Sequence, residues 1–297
     1  MRARVIGSGV ASGVPTWNDG SEIAERARER DPDVPRRRGA ALAVSADGVR
    51  YSILEAPFSL AANLAEEPRY APEAGGHAVP IDTLVLTSAE PDACTGALAL
   101  RGGLSIRVVS PADLKHDLIE HDAAFSSMEA LWLGLPWDRA LSLDREEYLE
   151  ARLFPLPGPT PDHLRTRSKT AGRARCGVRI TDRRSGLRLV WAPRIARYDS
   201  ATLAELRAAD LRFVDGTCYA DEEATRLKPG ARSARELGHL PIDGREGSLA
   251  WLAGMSGRSI YVHVAAGNPL CDLSSKQTVR VRQAGVEVAR DGLEVTL

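Results

Sequence analysis

The sequence predicts an α/β fold, a sandwich of two mixed sheets between helical layers, and three features of the chain carry that expectation. A mostly apolar run over residues 81–86 reads as a strand buried on both faces, and it leads into the polar turn Thr87-Ser88-Ala89-Glu90-Pro91-Asp92. The dipeptide Asp47-Gly48 between residues 40–45 and 51–55 supplies the positive φ angles of a tight hairpin. Short strands and helical patches then recur in both halves of the chain, so that each half builds one sheet with helices outside it.

Composition bounds the classes that remain. With 297 residues and 43% hydrophobic content, the chain has material for a large core, read as one domain over 1–297. Its 39 basic and 40 acidic residues nearly cancel, so no global field draws nucleic acid or an anionic membrane, and neither is an expected partner. Arg36-Arg37-Arg38 is the tight basic cluster, in a loop-like segment that suits a solvated face or an anion contact. The beginning of the chain lacks a long apolar stretch, and no later stretch has the length to cross a bilayer, which makes the cytoplasm the expected compartment. Cys94, Cys176, Cys218 and Cys271 lie far apart without a C-x-x-C pair, as reduced structural thiols do.

Along the chain, residues 2–7 form a short strand, and the glycine-rich Gly7-Ser8-Gly9-Val10-Ala11-Ser12-Gly13 follows without leading into an amphipathic helix, unlike a dinucleotide fingerprint. Ser21 caps a charged helix over 22–30 that Pro32 and Pro35 end. After the hairpin come a helix over 59–67, a loop over 68–80, the strand and turn at 81–92, a strand over 105–109 and a helix over 111–121. Residues 131–144, with Trp132 and Trp137, read as a covering segment before a strand over 148–155. The prolines of 155–161 make a rigid loop over a cleft. A second strand pair spans 176–181 and 187–191, a helix 200–208, and a strand 211–214 ends in Asp215-Gly216-Thr217. Helices over 231–238 and 247–255, a strand over 259–264 and a helix over 279–284 precede a closing hairpin of 286–289 with 293–297 around Asp291-Gly292.

The turn at 87–92 is the first candidate site, because strand-end loops carry the sites of α/β scaffolds. Ser88, Glu90 and Asp92 suit a metal or polar-substrate pocket, or equally a helix start capped by Ser88 or Asp92.

Several motifs in order resemble the pyrroloquinoline quinone biosynthesis protein B family across the whole chain. They are Trp17-Asn18, Ala43-Val44-Ser45-Ala46-Asp47-Gly48, Leu86-Thr87 with Ala89-Glu90 and Asp92, Phe154-Pro155-Leu156-Pro157-Gly158, Asp215-Gly216-Thr217, Gly238-His239-Leu240-Pro241, and His263 with Asn268-Pro269. The resemblance implies a metallo-β-lactamase fold, an αββα sandwich, and oxidative tailoring of a tyrosine-derived intermediate with a bound metal, iron in the family. It also exposes departures. The superfamily turn is His-x-His-x-Asp-His, whereas the corresponding positions here are Ser88, Glu90, Asp92 and Ala93. Where the family follows Trp-Asn with zinc-binding cysteines, this chain has Asp19-Gly20-Ser21-Glu22, so a structural zinc is not expected.

What survives of the implied site is Glu90, Asp92 and His263 as metal ligands, with Asp215 and His239 as an acid–base pair of the kind related nucleases use. Such an oxygen-rich set suits Fe(II), or Mn or Zn, while side chains that merely hydrogen-bond one another at an old cleft are the plain alternative. Two functional classes follow: a metal-dependent hydroxylase acting on an amino-acid- or peptide-derived intermediate of a quinone-cofactor or related pathway, and a non-catalytic binding or carrier protein of such a pathway. Two-metal hydrolysis fits the depleted ligand set least. A small-molecule or peptide-derived intermediate is the expected partner, and a homodimer is compatible with the sequence.

Overall fold

The computed structural model describes residues 1–102, 106–168, 173, 175–227 and 230–297. Two seven-stranded mixed sheets stack face to face. The first is built from β1 (Arg2–Gly7), β2 (Ala41–Ser45), β3 (Tyr51–Leu54), β4 (Ile81–Val85), β5 (Arg107–Pro111) and β6 (Trp132–Leu135). The second holds β7 (Ala140–Ser142), β8 (Leu149–Pro155), β9 (Cys176–Asp182), β10 (Arg188–Ala192), β11 (Leu211–Asp215), β12 (Arg258–Val262) and β13 (Val286–Val288). The last strand, β14 (Glu294–Thr296), returns to the edge of the first sheet beside β1.

Strand periodicity explains the layering. Along β2, Leu42 and Val44 face the space between the sheets, while Ala41 and Ala43 face the outer helices; Leu54 and Ile53 of β3 divide the same way. The inter-sheet core joins Leu42, Leu54, Val85 and Val109 to Val178, Ile180, Trp191, Phe213 and Ile260 of the second sheet. Both faces of these strands are therefore largely apolar, with Ser52, Thr83 and Arg212 as buried exceptions, which is why the central strands read as hydrophobic runs without strict alternation.

In each sheet one half is antiparallel and the other parallel. The chain runs β3, β4, β5, β6 in parallel in the first sheet and β10, β11, β12, β13 in parallel in the second. Loops after β3, β4, β10, β11 and β12 thus leave from carboxyl ends of strands, where ligands of open α/β sheets bind.

The hairpin of β2 and β3 forms as expected around Gly48, whose φ is 85°. Three expectations are corrected. Residues 131–144 are not a loose cover: they contain β6 and β7, which close the edges of different sheets. The terminal segments do not form a hairpin, because β13 pairs with β12 and β14 with β1. Asp291 between them accepts hydrogen bonds from the Ser8 amide and hydroxyl (2.9 and 2.7 Å) and from the Arg38 amide (2.8 Å), which holds the crossing against the glycine-rich loop. The expected helix over 231–238 shortens to Ala234–Leu237. Ser105, the first residue of the strand expected over 105–109, lies outside the described residues. Among the described residues no helix is long and apolar enough to cross a membrane.

Candidate functional site

Five strand ends bring polar side chains to one cleft. Glu55 follows β3, Glu90 and Asp92 sit on the turn after β4, Arg194 follows β10, Asp215 ends β11, and His263 follows β12. Glu55 and His263 adopt left-handed backbone, with φ of 71° and 61°. Residues other than glycine occupy that region at a cost of order 1–3 kcal/mol, so the surrounding packing and hydrogen bonds hold both in place.

His239 arrives from a different element. The short helix Ala234–Leu237 starts with a capping box: the Ser233 hydroxyl accepts from the Glu236 amide and the Glu236 carboxylate accepts from the Ser233 amide. It ends at Gly238, in left-handed conformation with φ of 85°, whose carbonyl accepts from Arg175 Nη1 at 2.9 Å. The turn of the backbone there aims the next residue, His239, at Asp215. Ser233→Ala is expected to cost about 1 kcal/mol of stability by removing the cap, a loss that urea denaturation measures against wild type.

Asp215 organises the floor of the cleft. Its Oδ2 accepts from the Ile195 amide (2.8 Å) and lies 2.7 Å from His239 Nδ1, and its Oδ1 accepts from the Thr217 amide (3.0 Å) and hydroxyl (2.6 Å). Thr217 Oγ1 also stands 2.7 Å from His263 Nδ1 and 3.1 Å from His239 Nδ1. The two imidazoles stack with ring centroids 5.5 Å apart and planes inclined by 21°. Against the desolvation of burial, His239, His263 and the Thr217 hydroxyl keep the Asp215 carboxyl below its ordinary value, so it is ionised. Its bond to Nδ1 leaves Nε2 as the ring nitrogen of His239 available to a ligand.

The turn after β4 is held by two arginines that the sequence did not bring forward. Arg175, just ahead of β9 and buried, reaches Glu90 Oε1 with Nη2 at 2.8 Å. Arg194, 3% exposed, donates through Nη1 to both oxygens of Glu55 (2.7 and 2.7 Å) and through Nη2 to Asp92 Oδ2 (2.9 Å). The same Nη2 stands 2.9 Å from His263 Nε2, which is itself 3.1 Å from Asp92 Oδ2. Thr87 donates its hydroxyl to Glu55 as well. Although burial works against it, the Arg194 cation holds the Asp92 carboxyl well below the usual range, and the carboxylates raise Arg194 above its ordinary value. Burial and the Arg194 cation together bring the His263 imidazole down to about 4, so it is neutral at physiological pH.

Glu90, Asp92, His239 and His263 line one cavity of about 370 Å³, with Phe58 and Pro159 also at its wall. The structure thus gathers the residues singled out from the sequence, with Asp215 behind His239. It departs from the expected grouping of ligands. Glu90, Asp92 and His263 do not share one open point: Glu90 is paired to Arg175, and Asp92 and His263 both bond Arg194. Neither Ser88 nor Asp92 caps the following helix Pro91–Cys94, whose first residue is preceded by Glu90 without a side-chain cap; Ser88 Oγ accepts instead from the Glu90 amide at 3.1 Å. The spacing that a metal can bridge is found one layer away, where Asp215, His239 and His263 each offer a donor atom within 4.8 Å of the others. All four cysteines are buried and free, and burial raises the Cys94 and Cys218 thiols far above neutrality, which removes them as nucleophiles.

After Trp17, where the resemblance implies cysteines, Asp19 Oδ1 accepts from the Ser21 amide (2.9 Å) and Ser21 Oγ accepts from the Ala24 amide (3.3 Å). Asp19 and Ser21 thus serve a turn and a helix start, and Trp17 is 91% exposed.

Residues 52–264 match the family model of the β-lactamase superfamily domain, which agrees with the two mixed sheets and the strand-end cleft described above. Within that superfamily the chain is 30% identical to coenzyme PQQ synthesis protein B of Xanthomonas campestris and 29% identical to that of Azotobacter vinelandii, each alignment covering 100% of both chains. The chain belongs to the coenzyme PQQ synthesis protein B family. The crystal structure of zinc-bound PqqB from Methylobacterium extorquens superposes with a TM-score of 0.92 at 28% identity, covering 100% of both chains. A diphosphatase of the PhnP family, at 18% identity and a TM-score of 0.68, shares the fold.

Proposed function

We propose that this chain acts in coenzyme PQQ synthesis by holding an amino-acid- or peptide-derived intermediate in the cleft, where His239, oriented by Asp215, moves a proton. The observation that carries this reading is the Asp215–His239 pair at 2.7 Å, in which a buried carboxylate fixes one ring nitrogen of an imidazole that lines the cavity. Asp215 is itself held by two backbone amides and by Thr217, so the ring orientation is set before a ligand arrives.

A second reading, oxidative tailoring by hydroxylation, is favoured by a separate observation. Asp215, His239 and His263 form a set of two imidazoles and one carboxylate at a spacing that suits a metal, as non-haem Fe(II) sites do. Those three would hold Fe(II), or Mn or Zn in its place, and a bound iron would supply oxygen activation. Glu90 and Asp92 do not fit as its ligands, because a guanidinium already satisfies each.

The experiment is complementation of a PQQ-producing bacterium that lacks its own PQQ synthesis protein B, with secreted PQQ quantified by mass spectrometry. Wild-type chain restores PQQ, and His239→Gln and Asp215→Asn each lower the yield at least tenfold at equal protein level. Undiminished yield from both variants overturns the proton-moving role. Metal analysis of the purified chain separates the readings: stoichiometric iron, lost in the His263→Ala variant, establishes the second.

A further inference from the structure

The space between Asp92 and His263, where the family resemblance puts a metal, is filled by a side chain of this protein. We infer that Arg194 is the resident cation of the cleft: its guanidinium takes the place of a divalent ion toward Glu55, Asp92 and His263, and wild-type chain binds no metal through Asp92.

The Arg194 guanidinium donates through Nη1 to the Glu55 carboxylate, shared between Oε1 and Oε2 at 2.7 Å each, and through Nη2 it stands 2.9 Å from both Asp92 Oδ2 and His263 Nε2. A guanidinium has no lone pair, so its contact with His263 Nε2 makes Nε2 the acceptor, and the 3.1 Å approach of Nε2 to Asp92 Oδ2 is then a contact between two acceptors of the same Nη2. The ring proton of His263 therefore sits on Nδ1. That proton has a partner: Nδ1 donates to Thr217 Oγ1 at 2.7 Å, and Thr217 passes its own hydrogen to Asp215 Oδ1 at 2.6 Å. The lone pair a metal needs on Nε2 is therefore engaged, and so is the Asp92 oxygen nearest to it. An ion held by Asp215, His239 and His263 would have to displace the proton that Nδ1 of His263 gives to Thr217, because Nε2 is already taken.

Burial fixes the cation in place. The side chain of Glu55 has 0% exposure and that of Arg194 has 4%, so swinging the guanidinium out strands a carboxylate in the interior. Charge acts in the same direction, because a divalent ion entering beside Arg194 meets a positive group at hydrogen-bond distance from both of its ligands. Ala93, where the superfamily turn has a histidine, and Arg194 beside Asp92 then fit together: the cation of this cleft is covalent rather than bound. The proton-moving role of His239 uses other atoms and is independent of this assignment.

The test is calorimetric titration of chelator-treated protein with Zn(II), for wild type, Asp92→Ala, Arg194→Ala and the Arg194→Ala/Asp92→Ala pair. Arg194→Ala is expected to bind one equivalent more than wild type and to gain thermal stability on Zn(II) addition, and the added Asp92→Ala should weaken that binding at least tenfold. Wild type and Asp92→Ala should bind alike. In 15N-histidine spectra, the His263 Nε2 resonance of wild type should stay unshifted at equimolar Zn(II). Zinc binding by wild type that Asp92→Ala abolishes, or a shifted Nε2 resonance, overturns the inference, as does a folded Arg194→Ala with wild-type stoichiometry. Should Arg194→Ala not fold, the wild-type, Asp92→Ala and spectral arms decide.

Discussion

Replacing Arg194 by methionine should destabilise the chain by about 3–5 kcal/mol, the usual cost of breaking a buried ion pair from one side. For a chain of this size that corresponds to a fall in Tm on the order of 10 °C. Methionine follows the apolar stem of the arginine as far as Nε and carries no charge, so the loss comes chiefly from the missing guanidinium. What it leaves behind is the Glu55 carboxylate, fully buried, with Thr87 as its remaining hydrogen-bond donor. Asp92 is partly exposed, so water can take the place of the lost donor and it suffers less. The double variant Arg194→Met/Glu55→Gln should recover more than half of the loss, because the stranded charge is then gone. Thermal and urea unfolding of wild type, the two single variants and the double variant measures the cycle. A loss under about 1 kcal/mol for Arg194→Met would show that the pair behaves as a surface ion pair, and Arg194 would not be the cation that holds the cleft together.

That cleft was half legible in the sequence. His263, Asp215 and His239 stood out through the family resemblance, whose motifs fall at the ends of expected strands and of a helix, and the fold places the carboxyl ends of strands at the cleft. Glu90 and Asp92 stood out from the turn after β4. Arg175 and Arg194 did not, since arginine is common on surfaces and only a three-dimensional arrangement distinguishes a solvated one from one enclosed by carboxylates. A weak signal existed for Arg194 and Glu55: each stands one or two residues past a short apolar strand, close to a proline (Pro193, Pro57). Such a signal makes a cation opposite the turn carboxylates the natural counterpart of the missing histidine at Ala93.

The sheets were more legible than their edges. Hydrophobic periodicity identified the interior strands, because both of their faces are covered and the pattern is dense. At the edges it misled: Trp132–Leu135 and Ala140–Ser142 are short and only partly buried, so they read as cover. The closing strands looked like a hairpin because Asp291-Gly292 is a hairpin sequence. Local turn chemistry cannot report that Val286–Val288 and Glu294–Thr296 are claimed by different sheets, where β12 and β1 offer longer-range pairing.

The last expected result lies outside the cleft, at Glu223 on the short helix Glu223–Leu227. Its Oε2 accepts from the Tyr219 and Ala220 amides, while its buried Oε1 has no hydrogen-bond partner among the described residues. Burial outweighs the two amides and raises the carboxyl to about 7 from an ordinary 4.5. Because the folded value lies above the unfolded one, the group favours the folded state most when protonated, below pH 4.5, and that contribution is lost as pH rises through about 7. Between pH 5 and 8 the loss amounts to roughly 2–3 kcal/mol. Glu223→Gln retains an oxygen for the two amides and carries no charge, so its stability should exceed that of wild type increasingly toward pH 8. His263 works in the opposite sense at lower pH: lowered to about 4, it makes the folded state lose stability as pH falls from 6.5 toward 4. That slope is common to wild type and Glu223→Gln, so the difference between the two proteins isolates Glu223. Urea denaturation of both at pH 5 and 8 supplies the comparison, and a difference that does not grow with pH would place the Glu223 carboxyl at its ordinary value.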